Sequence, residues 1–243
     1  MQRDGVLLLP QVWASAQIAL PDAFAPLASA YVAEIRRVVW IGEDAPDLPE
    51  KFNALLRSRA LPEMALRHIT PDAPGMKRVL AWYREEADTS KRRDLLRKIA
   101  PIVEEDAPPP LAVIQALAAD TPGALFAAAP VIDAQKCVGC DACLRICPED
   151  VLTQVKAPEG ELVYQTRAAP CDGCSLCEEA CDHVAIEVRP MQEAPPDVVL
   201  SEWTCRACGV MVHPPVQNDT GDGLCHICAR TQHHKKLFQV LDG

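Results

Sequence analysis

Twelve cysteines carry the chemistry of this sequence, and all lie after residue 136, in three groups of four. Cys137, Cys140, Cys143 and Cys147 are spaced C-x-x-C-x-x-C-x-x-x-C, with Pro148 following. Cys171, Cys174, Cys177 and Cys181 repeat that spacing. The third group is two C-x-x-C steps, Cys205/Cys208 and Cys225/Cys228, separated by 16 residues. Disulfides rarely join cysteines so close, whereas metals favour this spacing. A cubane iron–sulfur cluster has four iron corners, and each needs a thiolate. Three cysteines in C-x-x-C-x-x-C spacing can wrap three corners from one tight loop, and the fourth must be reached from elsewhere. The two longer runs therefore predict two 4Fe–4S clusters and a chain that moves electrons through them.

Residues 136–188, from Lys136-Cys137-Val138-Gly139-Cys140 through Ala185-Ile186-Glu187-Val188, resemble a bacterial two-cluster ferredoxin domain. The resemblance covers about a fifth of the chain. It implies a crossed ligand set, because in that family the fourth cysteine of each run serves the other cluster. Cys137, Cys140, Cys143 and Cys181 would hold one cluster, and Cys171, Cys174, Cys177 and Cys147 the other. Gly139 and Gly173 sit inside the loops, where a missing side chain lets backbone N–H groups approach cluster sulfurs. Glu149-Asp150-Val151-Leu152 and Asp182-His183-Val184-Ala185-Ile186 read as short turns leading into strands. Thr153–Thr166, alternating around Glu159-Gly160, reads as a β-hairpin between the halves. One position departs from the family, which carries proline after both fourth cysteines. Here Asp182 stands at the second. Its negative charge is expected to lower the potential of the adjacent cluster.

The third group supplies four thiolates in the pattern of a structural zinc site and resembles a zinc ribbon beginning at Trp203-Thr204-Cys205. A single rubredoxin-like iron would use the same Cys205, Cys208, Cys225 and Cys228. Aromatic side chains usually shield such an iron, and none lies between Cys205 and Cys228. Zinc is therefore favoured. His213, His226, His233 and His234 are read as bystanders, since four cysteines complete a tetrahedron.

The elements that must position these groups are less explicit. The expected fold class is α+β. It comprises a small α/β or mainly helical N-terminal domain over 1–105, an Ala-rich connector over 106–130 and the ferredoxin-like domain over 131–191. A linker over 192–200 and the zinc-ribbon-like domain over 201–243 follow. Glu104-Glu105-Asp106-Ala107-Pro108-Pro109-Pro110 and Gln192-Glu193-Ala194-Pro195-Pro196-Asp197 mark the breaks. Val38-Val39-Trp40-Ile41, ending at Gly42, predicts a buried strand. Pro49–Arg59 predicts a helix through Phe52, Leu55 and Leu56, and Met76–Ala100 an amphipathic helix. Leu111–Ala129 reads as a helix broken at Thr121-Pro122-Gly123. Ala23-Phe24-Ala25-Pro26 has no clear period and is assigned no element.

Several classes are disfavoured. No apolar run approaches the roughly 20 residues a membrane span needs. Val6–Leu9 and Ala14-Ser15-Ala16 imitate a signal peptide, but Asp4, Pro10 and Gln11 interrupt it. Arg36-Arg37 lies too far in for a twin-arginine signal. A reduced cytoplasmic setting is expected. The net charge is −10, of which −8 falls in residues 131–200, so nucleic acid is not the expected partner there. A redox protein with a basic docking patch fits better, because complementary fields orient encounter. Lys91-Arg92-Arg93 reads as a solvated helix face. His68 has no nucleophile or ligand partner nearby in sequence. No phosphate loop and no catalytic constellation is visible in residues 1–130. The expected function is an electron-transfer subunit of a larger oxidoreductase, since a free ferredoxin needs neither appendage. The alternative is a non-redox assembly factor or regulator whose clusters are structural or sense oxidation.

Overall fold

The computed structural model describes residues 2–3, 6–10, 19–41, 47–70 and 108–231. The expected helix Met76–Ala100, Lys91-Arg92-Arg93, Ala14-Ser15-Ala16, Gly42 and Glu104–Ala107 lie outside the described residues, as do His233, His234, Lys235 and Lys236. The chain divides into two compact units, Met1–Ala127 and Ala128–Gly243.

The first unit is α/β. Its sheet runs β1 (Gln2–Arg3), β2 (Val6–Pro10), β3 (Arg37–Ile41), β4 (Ala65–Ile69), with β2, β3 and β4 parallel and β1 antiparallel to β2. Helix α1 (Leu20–Val32) lies between β2 and β3 in sequence, and α2 (Leu48–Arg57) between β3 and β4. The strand at Val38–Ile41 and the helix beginning near Pro49 match the sequence pattern. Helix α1 is a difference, since Ala23–Pro26 suggested nothing. Pro21 stands in its first turn, where a missing N–H costs little. Pro26 lies inside it and reads as a breaker, yet packing overrides this. Phe24 and Leu27 are fully buried, and Phe24 meets Phe52 of α2 edge-on at 5.2 Å. The Asn53 side chain donates to Met64 O and accepts from Met64 N, each at 2.9 Å, pinning the chain just before β4. His68 is exposed.

Helix α3 (Pro110–Ala116) is shorter than the sequence suggested, and Leu125–Ile132 forms strand β5 where an Ala-rich connector was expected. Alanine is the best intrinsic helix former, but propensity is a weak determinant, and tertiary burial decides here. Ala127, Ala128 and Ala129 are all buried, and a strand needs small residues where both its faces are covered.

In the second unit, β5 pairs with β8 (Ile186–Glu193). Helix α4 (Ala142–Ile146) follows the first cysteine loop and α5 (Leu176–Glu179) lies in the second. The expected hairpin forms from β6 (Leu152–Lys156) and β7 (Leu162–Thr166), antiparallel, turning at Gly160 with φ +92°. The segment expected as a linker is largely sheet. β8 runs through Glu193, and β9 (Val198–Val199) adds a third strand to the hairpin, with Val163 opposite Val199 and Tyr164 opposite Val198. Leu200 N then donates to Leu162 O at 2.9 Å, and Ser201 N to Pro214 O at 2.9 Å. Prolines 195 and 196 fall in the unpaired gap between β8 and β9. The C-terminal module has a short hairpin, β10 (Trp203–Thr204) with β11 (Met211–Val212), a 3-10 turn at Val216–Asn218 and helix α6 (His226–Thr231). Among the described residues no helix is long and apolar enough to cross a membrane.

Candidate functional site

The two longer cysteine runs fold into the same backbone path. Gly139 and Gly173 have φ of +70° and +72°, Asp141 and Ser175 both +60°, and Asp150 and Val184 both +48°. These positions correspond one to one. The left-handed residues turn the chain inward so that successive cysteines face one centre. Asp141 and Ser175 each stand immediately before a short helix. The halves also clasp each other. Asp133 N donates to Ala185 O at 2.7 Å, and Arg167 N to Val151 O at 2.8 Å. Each contact is the counterpart of the other.

Two partly open cavities result, with empty volumes of about 360 and 350 Å³. Cys137, Cys140 and Cys143 line the first together with Cys181. Cys171, Cys174 and Cys177 line the second together with Cys147. The walls are otherwise mostly apolar, with Ile132, Ala185 and Ile186 on the first, and Val151, Leu152 and Val188 on the second. Val151 N–H donates to Cys147 Sγ at 3.4 Å, and Ala185 N–H to Cys181 Sγ at 3.3 Å.

Most of the eight thiols are at least partly buried, with Cys140 and Cys174 exposed. Burial, followed by repulsion from neighbouring sulfurs, pushes Cys143 up to about 12. Burial first, with Asp172 and neighbouring thiols behind it, pushes Cys171 up to about 11. Burial, then Cys171 and Cys147, raises Cys177 to about 11. Buried thiols held back from ionisation suit a cationic centre, whose charge removes that penalty. The donor set therefore fits an iron–sulfur cluster.

The surroundings of the first cavity are richer. Tyr164, buried in β7, donates its hydroxyl to Asp141 Oδ1 at 2.6 Å. Burial, and then the Asp141 carboxylate, hold that phenol far above its ordinary value, so it remains a donor. His213 Nε2 meets the same oxygen at 2.8 Å, and Arg145 reaches Asp141 Oδ2 at 3.5 Å. Asn218 Nδ2 donates to Cys137 O at 2.8 Å. These contacts were not foreseen from sequence. The only local hint was an acidic residue inside the first loop. Asp182, expected to matter, is exposed.

Residues 129–182 match the family model described as a 4Fe-4S dicluster domain. This segment is a 4Fe–4S dicluster domain. It binds 4Fe–4S iron–sulfur centres. Pyruvate synthase subunit PorD of Thermotoga maritima is 34% identical over 64 residues, covering 26% of this chain and 61% of the relative. PorD of Methanothermobacter marburgensis is 36% identical over 59 residues, covering 24% of this chain and 63% of the relative. The chain thus spans about three fifths of the length of these curated relatives.

Behind the dicluster domain in sequence, the sulfur atoms of Cys205, Cys208, Cys225 and Cys228 lie within 4.8 Å of one another. Cys225 N–H donates to Cys205 Sγ at 3.3 Å and holds that thiol below its ordinary value. Cys228 N–H donates to Cys225 Sγ at 3.4 Å. His226 is turned to His183, their rings edge-on at 5.3 Å, and His213 to Asp141.

Proposed function

We propose that this chain is an electron-transfer iron–sulfur subunit with two 4Fe–4S clusters, relaying electrons within or to a larger oxidoreductase. Cys137, Cys140, Cys143 and Cys181 are the proposed ligands of one cluster. Cys171, Cys174, Cys177 and Cys147 are those of the other. The observation that carries this reading is the pair of cavities, each lined by three cysteines of one run and the fourth of its mate. When bound, each cluster takes up and gives back single electrons. The chain's own part is to supply thiolates, to donate N–H groups to sulfur from Val151 and Ala185, and to keep water off with apolar walls.

Cys205, Cys208, Cys225 and Cys228 are proposed to hold one structural zinc. A closed four-sulfur site does no chemistry but lets a small module fold without a large core. A single iron is the alternative occupant. The proposed partner is a redox protein in a larger oxidoreductase, and its docking patch is basic. Support comes from the −8 balance of residues 131–200 and from relatives whose names are those of pyruvate synthase subunits. Cytoplasmic residence follows from the same reading.

Anaerobic purification with metal and sulfide analysis, plus EPR of the reduced form, tests this. About eight iron, about eight sulfide and about one zinc per chain are expected from the ligand counts. About half that iron, or zinc in all three groups, would sink the two-cluster reading. Clusters that resist reduction while the protein remains folded would favour a structural or sensing role.

A further inference from the structure

Among the described residues, the C-terminal module grips one cysteine loop of the dicluster domain and makes no such hydrogen bonds to its counterpart. Three independent contacts carry this. His213 Nε2 meets Asp141 Oδ1 at 2.8 Å. Asn218 donates to the carbonyl of Cys137 at 2.8 Å. Backbone also lies against backbone at Gly139, where a Cβ would come within 2.3 Å of His213 O and 2.9 Å of Pro214 N. Glycine is required there by close approach as well as by its φ of +70°. Among the described residues, no hydrogen bond joins the C-terminal module to Cys171–Ser175. Ser175, the counterpart of Asp141, accepts no side-chain hydrogen bond from the module among the described residues.

From these contacts we infer that Val212–Asn218 is a cap that positions the loop of the Cys137/Cys140/Cys143/Cys181 cluster alone, and that His213 and Asn218 are its positioning residues. This rests on the two-cluster reading. Asp141 is the keystone, because it takes Tyr164 from the hairpin and His213 from the cap on one oxygen. The loop backbone is thereby fixed from both sides, which holds Cys137, Cys140 and Cys143 in ligating geometry. The cap itself follows β11 and precedes Cys225, so its shape depends on the four-cysteine module staying folded. The structure thus couples the state of that module to one cluster and spares the other.

Iron release to a chelator from the full chain, followed anaerobically, tests the inference. In the His213→Ala/Asn218→Ala variant about half of the iron should leave about tenfold faster, the consequence of losing a hydrogen bond to a carboxylate. The other half should keep the wild-type rate. His213→Gln, whose Nε2 can reach the same oxygen, should restore most of the slow release, which a merely space-filling role would not explain. If the double variant fails to fold, Asn218→Ala alone keeps the His213 contact and should show the same split at smaller amplitude. Both halves released at wild-type rates, or both accelerated equally, would overturn the cap. A His213→Gln variant as fast as the alanine one would overturn the hydrogen-bonding role. A wild-type chain with about half the expected iron would instead fail the two-cluster reading itself.

Discussion

Cys137–Cys147 and Cys171–Cys181 trace matching loops, with left-handed residues at Gly139/Gly173 and Asp141/Ser175 and matching N–H to sulfur contacts at Cys147 and Cys181. Their surroundings do not match. The first loop carries Asp141 bound to Tyr164, His213 and Arg145, with a neighbouring backbone pressed on Gly139. The second carries Ser175 in the place of Asp141, while Cys140 and Cys174 are exposed alike. The difference teaches that a repeated motif fixes how thiols converge, while what packs over each loop is free to make two similar centres unequal.

The comparison can be broken most severely by removing ligands in pairs. Cys137→Ser with Cys181→Ser should cost one cluster, whereas Cys171→Ser with Cys181→Ser should cost both. Iron and sulfide content reads the outcome. The reverse pattern, both clusters lost from the first pair and one from the second, would mean that the runs do not exchange their fourth cysteines. Next in size is Gly139→Ala. A left-handed alanine is strained by about 1–3 kcal/mol. The added carbon also meets His213 O at 2.3 Å, so the variant should lose the first cluster preferentially. Spectra of the reduced protein should then show an isolated cluster signal in place of two interacting ones.

Tyr164→Phe sharpens the comparison more gently. It removes one hydrogen bond to a carboxylate, worth about 1.5–3 kcal/mol, and leaves the ring in place. Denaturant unfolding of the holoprotein should shift by that order, and an Asp141→Asn change should cost less on top of it than alone, because the Tyr164 interaction is already gone while those to His213 and Arg145 remain. The smallest effect is expected from Asp182→Pro. The carboxylate is exposed, so its field on the Cys137/Cys181 centre is screened by solvent. A redox titration should find that potential raised slightly at low salt, with the difference fading at high salt. An unchanged or lowered potential at low salt would remove Asp182 from the account.

Legibility followed distance along the chain. The hairpin Leu152–Thr166, the strand at Val38 and the helix at Pro49 were readable because alternation, turn glycine and helical spacing are local signals. Helix α1 was not, because Pro26 argues locally against a helix that Phe24 and Leu27 stabilise through burial. β5 was not, because Ala127–Ala129 locally favour helix and only their burial selects a strand. Pro195-Pro196 suggested a linker, yet Val198 and Val199 return to pair with the hairpin.

The cysteine spacing alone determined that this chain binds iron–sulfur centres, because a C-x-x-C loop needs only a few adjacent residues to aim its thiols. The tertiary structure decided which loop is covered and by what. Asp141 and His213 are 72 residues apart in sequence, and Cys137 and Asn218 are 81 apart. No local pattern specifies such pairs. They arise only when β9 and the residues after it lay the C-terminal module against the first loop, and a glycine at 139 lets the two backbones meet.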